Sequence, residues 1–112
     1  MKTLLLIALL WGNSPDEAKQ LGDQIAIEAS CSFDQENKGA YVYECERYMS
    51  FATFKIYTMV LVMQYNDIEQ LTAWRKTDYD AHGVVLRYDG EYYALVYNDT
   101  AKVFAIQHFV ED

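Results

Sequence analysis

The order of apolar patterns along this 112-residue chain predicts a single α+β domain with a ferredoxin-like β-α-β-β-α-β order. A C-terminal antiparallel hairpin extends it, and two helices pack on one face of a mostly antiparallel sheet. Three observations carry that expectation. Ser14-Pro15-Asp16-Glu17 is a helix start followed by an apolar stripe at helical spacing. Asp89-Gly90 separates two stretches rich in β-branched and aromatic residues, as a type I′ hairpin turn does. Hydrophobic residues make up 52% of the chain and charged residues 23%, the composition of one folded globular unit.

Taken in order, residues 1–11, MKTLLLIALLW, put an apolar run behind Lys2. The run suits a secretory leader, but the GNSPDEAKQ that follows has no A-x-A-like cleavage site. It is also too short to span a membrane. It therefore reads as a central strand buried on both faces, in a cytoplasmic protein, with a secretory leader as the alternative. Ala18, Leu21, Gly22, Ile25 and Ala29 then share one helix face, and the small residues among them predict close packing on a sheet. The helix is expected to end near Cys31 and to give way to a polar loop, SFDQENKG.

Residues 40–49 alternate as a strand, and residues 51–63, FATFKIYTMVLVM, read as a second, more buried one. Asn66-Asp67-Ile68-Glu69 repeats the capping pattern, so a shorter helix carrying Ile68, Leu71 and Trp74 is expected to end near Lys76. The hairpin register that follows pairs Tyr88 with Glu91, Leu86 with Tyr93, Val84 with Leu95 and His82 with Tyr97. Through the NDTA turn, Phe104, Ile106 and His108 join the same face, with His108 level with Glu91. Ten tyrosines are expected mainly on the outer face of the sheet.

Charge narrows the function. Seventeen acidic and nine basic residues leave a net charge of −8, against direct nucleic-acid or anionic-membrane binding and compatible with a basic protein partner. Cys31 and Cys45 are not in a CxxC spacing; two free thiols in a reducing compartment are the simpler reading, and a disulfide the alternative for an exported protein. No metal or cofactor is expected. Six residues of strand would separate His82 from His108, roughly 20 Å, too far for a shared ion.

Two candidate sites remain. Asp78, Asp80 and His82 alternate, which would suit an acid–base cluster but reads better as a solvated turn leading into a strand. A hydrolase reading takes Cys45 as nucleophile, His82 as base and Asp99 as its orienter. There His82 opens a strand, which resembles papain-like folds in local shape; such nucleophiles sit at a helix N-terminus, whereas Cys45 reads as mid-strand. The preferred expectation is a small acidic binding module of the immunity-protein or phage-inhibitor kind, judged by size and charge. Its contact surface would comprise Asp34, Glu36, Asp78, Tyr79, Asp80, Arg87 and Tyr92 and would cover a basic surface of a target protein. Self-association through an exposed strand edge, with a homodimer as its simplest form, is the third reading.

Overall fold

The computed structural model describes residues 15–77 and 81–110. Pro15 opens helix α1 (Pro15–Ala29), which stops where Ser30 turns left-handed at φ 59°. Strands β1 (Cys31–Asn37) and β2 (Ala40–Cys45) follow as a hairpin, then helix α2 (Phe51–Gln64). Two short strands, β3 (Ile68–Gln70) and β4 (Arg75–Lys76), lead into the long strands β5 (Ala81–Tyr88), β6 (Glu91–Asn98) and β7 (Val103–Phe109). The seven strands form one sheet in the order β1-β2-β7-β6-β5-β3, with β4 also pairing with β5. Each described pairing is antiparallel.

The α+β class therefore holds: two helices on a mostly antiparallel sheet. The ferredoxin-like order does not emerge from the described residues. Each interior strand of the sheet is flanked on both sides by another described strand. The strand expected over residues 1–11 lies outside the described residues.

The central hairpin matches its expected register pair for pair, from Tyr88↔Glu91 to His82↔Tyr97. Asp89 at φ 53° and Gly90 at φ 81° take the two left-handed positions that a type I′ turn requires. The next turn places Asn98 opposite Val103, so His108 faces Tyr93 rather than Glu91 as expected, and its ring reaches Glu91 by side-chain length.

Three expected elements change type. SFDQENKG is a strand, because Lys38 and Gly39 at φ 53° and 86° form a second type I′ turn that folds β1 onto β2. Residues 51–63 are helical. Ser50 accepts a hydrogen bond from the Thr53 backbone N–H at 3.3 Å as an N-cap, and Phe54, Thr58 and Leu61 line the buried side. An apolar run without a polar face has neither the helical nor the strand period, so the pattern could not separate the two. Residues 66–76 are two short strands because β5 needs partners: Leu71 N–H donates to the Val85 carbonyl at 2.9 Å, and Val85 N–H to Thr72 Oγ1 at 3.0 Å. Pairing an otherwise open edge outweighs the local capping preference.

Both helices pack on the face carrying Tyr43, Leu95, Tyr97, Phe104 and Ile106, all fully buried. The tyrosines correct the expectation about them. Tyr41, Tyr43, Tyr93 and Tyr97 point into the core, because even spacing along the strands puts them on the helix side. Tyr43 stacks on Phe104 with centroids 4.7 Å apart, and Tyr97 on Phe54 at 4.1 Å. Tyr43 Oη donates to Asp23 Oδ1 at 2.6 Å, with the Lys19 carbonyl a second acceptor at 3.0 Å. Tyr97 Oη donates to the Met49 carbonyl.

Gly22 makes this packing possible. A Cβ there would lie 2.6 Å from Tyr43 Oη and Cε1, inside any real contact distance. Gly22→Ala should therefore destabilise the domain by about 1–3 kcal/mol through overpacking, although alanine favours a helix by ~1 kcal/mol. Urea denaturation measures it, and a variant as stable as wild type would show that α1 does not depend on this approach.

Candidate functional site: the uncovered face of the sheet

An antiparallel sheet with helices on one face ordinarily turns polar side chains outward. This one does not. Strand alternation places Val42 of β2, Ala105 of β7, Val96 and Ala94 of β6, and Val85 and Gly83 of β5 on the face away from the helices. Val42, Ala105, Val96 and Gly83 stand in register across four adjacent strands, with Ala94 beside Val85 in the next row. Each is half-buried by its neighbours alone. A shallow groove of about 370 Å³ crosses this face beside Thr72, Arg75, Gly83, Val85, Ala94 and Val96. Gly83 forms part of its floor, where a Cβ would sit 3.3 Å from Thr77 Cγ2.

One margin of the face is a polar and aromatic row. Arg87 of β5 is paired with Glu69 of β3, and its cross-strand neighbour is Tyr92, whose ring centroid lies 6.0 Å from that of Phe109. Two expected contact residues, Arg87 and Tyr92, thus adjoin the apolar face. Asp34 and Glu36 do not. Both are exposed on edge strand β1, Asp34 at the bulge between Phe33 and Gln35. They sit four strand spacings from Arg87, about 19 Å. Asp78, Tyr79 and Asp80 lie outside the described residues.

The hydrolase grouping does not assemble. Cys45 is bonded to Cys31, its cross-strand partner, so the expectation of two free thiols is corrected and Cys45 carries no thiolate. Sequence alone could not reveal the bond, since it depends on a hairpin that the polar composition of 31–37 disguised. His82 stands three strands away from Cys45, about 14 Å across the sheet. Its ring stacks on Phe51 at 3.8 Å, and its buried Nδ1 has no hydrogen-bond partner among the described residues. Asp99 accepts from Thr100 Oγ1 within the β6–β7 turn.

A second polar grouping surrounds the first turn of α1. His108 Nε2 and Glu91 Oε1 are 2.9 Å apart. Glu17 faces Asp89, Glu91 and His108; burial first, then a hydrogen bond and charge repulsion from Asp89, raise its carboxyl pKa. Tyr93 below them is fully buried, and its hydroxyl has no partner among the described residues; burial and the Glu17 and Glu91 charges hold it protonated. No group of three or more metal-ligating side chains occurs among the described residues.

Comparison with known proteins finds no family model that matches the chain, no similar curated protein and no similar solved structure.

Two outcomes follow from this geometry. The folded domain binds the Glu17 proton more tightly than the unfolded chain does, so the contribution of Glu17 to stability falls as pH rises through its raised pKa. Glu17→Gln should melt above wild type at pH 7, the gap closing as pH falls towards the ordinary value of 4.5; an equal gap at both pH values would contradict this. Native protein should resist thiol alkylation until reduced, and reduction should cost about 3 kcal/mol for a loop of this length. Rapid labelling of Cys45 without a reductant would reopen the nucleophile reading.

Proposed function

We propose that the chain is a small protein-binding module that holds its partner on the uncovered face of the sheet. One observation carries this reading: Val42, Val85, Ala94, Val96 and Ala105 form a continuous apolar surface that neither described helix covers. Contiguous exposed apolar surface on a soluble fold marks a contact site. Tyr92, Phe109 and Arg87 at its margin are residue types that anchor interfaces.

The narrower reading is an inhibitor or immunity-type protein that covers a basic surface of its target. The net charge of −8 supports it, because exposed acids such as Glu44, at the edge of the apolar face beside Val42, would steer a basic partner towards it. Of the two compartments open to the chain, cytoplasm or an exported location, the bonded Cys31–Cys45 pair supports the exported one. Lys2 and the apolar run after it would then act as a leader. No helix among the described residues is long and apolar enough to cross a membrane.

Val96→Glu tests the reading. It puts a carboxylate in the middle of the apolar face at a half-buried position, so the fold should persist by circular dichroism. Capture of the partner that wild-type protein retains from host extract should fall roughly tenfold or more, and wild-type capture should weaken with added salt. Undiminished capture by a folded Val96→Glu variant would remove this face as the contact.

A further inference from the structure

Helix α2 has two apolar sides, and the described residues bury one. Phe54, Thr58 and Leu61 are buried against the sheet. On the opposite side Ile56, Met59, Val60 and Met63 recur at i, i+3, i+4 and i+7, with 53%, 49%, 37% and 78% of their surface exposed. Exposed Ala52 continues the stripe one turn earlier. Ile27 of α1 is also exposed, at 73%, one turn beyond Gln24, which accepts a hydrogen bond from Tyr65 at the end of α2. A lone solvent-facing helix does not carry such a stripe.

We infer that this stripe is a homodimer interface in which α2 packs antiparallel on α2 of a second copy. The charge pattern selects that occupant. Residues 48–66 contain a single charged side chain, Lys55, in a chain of net charge −8. Two copies repel each other wherever acids meet, and among the described residues this is a long stretch where they would not. A two-fold axis between Met59 and Val60 makes the stripe complementary to itself. Ile56 then lies opposite Met63 of the second copy, and Met59 opposite Val60. Antiparallel packing carries each Lys55 to the far end of the other helix, where Asp67 is the nearest acid in sequence, and it opposes the two helix dipoles. Parallel packing would instead bring the two Lys55 side chains together. A bilayer surface fits less well. Interfacial helices carry several Lys and Arg on their polar face, whereas α2 carries only Lys55 and is flanked by Glu46, Arg47 and Asp67.

The dimer leaves the uncovered sheet face free, so the two proposals fail separately: Val96→Glu should not change the mass in solution. Light scattering coupled to size exclusion at roughly 0.1 mM, enough to fill an interface of micromolar affinity, should give twice the monomer mass. Met59→Lys should give the monomer mass with an unchanged far-ultraviolet spectrum. Under mild oxidation Met59→Cys, next to the axis, should cross-link to its own copy, while Met63→Cys, facing Ile56, should not. A monomeric wild type at that concentration, cross-linking at both positions or at neither, or binding of monomeric protein to phosphatidylcholine vesicles that Met59→Lys abolishes, would each overturn the inference.

Discussion

The close approach of α1 to the sheet at Gly22 is the constraint on which the rest of the core depends. A tyrosine at position 43 fills the space that a helical side chain would otherwise need, and its hydroxyl ends on Asp23 and the Lys19 carbonyl instead of in solvent. Wide, flat rings then suit the buried face: Tyr43 on Phe104, and Tyr97 between Phe54 and the sheet. A tyrosine is admitted to such a core when its hydroxyl finds a backbone or carboxylate acceptor. Tyr43 and Tyr97 meet that condition. Tyr93 does not among the described residues, and it lies beneath the Glu17, Glu91 and His108 grouping.

Because both helices occupy one face, the middle of the other face is made of small side chains, with Tyr92, Phe109, Gln107 and Glu44 around them. Valine, alanine and glycine there leave a smooth surface with its charge held at the margin, by the Arg87–Glu69 pair and by Arg75. That arrangement leaves the Cys45, His82 and Asp99 grouping unassembled and supports the binding proposal. Catalysis needs nucleophile, base and orienter within hydrogen-bond reach, and here Cys45 is bonded to Cys31 while His82 is stacked on Phe51. Binding needs desolvated apolar area with an aromatic or arginine anchor beside it, which the strand register supplies.

The unused side of α2 follows from the same economy. A helix on a curved sheet buries one stripe, and α2 carries apolar side chains all round. The uncovered sheet face and the outward stripe of α2 are separate surfaces, so the two proposed contacts do not compete for the same residues.

The sequence by itself determined the elements whose signal is local. The α1 stripe, its small residues against the sheet and the Asp89-Gly90 hairpin with its register were legible, because turn chemistry and periodicity act over a few residues. Arg87 and Tyr92 could be assigned to an outer face for that reason. Tertiary structure decided the rest. Residues 51–63 had no period of their own and became a helix through the Ser50 cap and packing of Phe54, Thr58 and Leu61, and residues 66–76 became strands because β5 had an edge to pair. The Cys31–Cys45 bond and the apolar continuity from Val42 to Gly83 depend on which strands lie side by side. Neighbours far apart in sequence are chosen by shared burial and backbone pairing, and no local pattern encodes that choice.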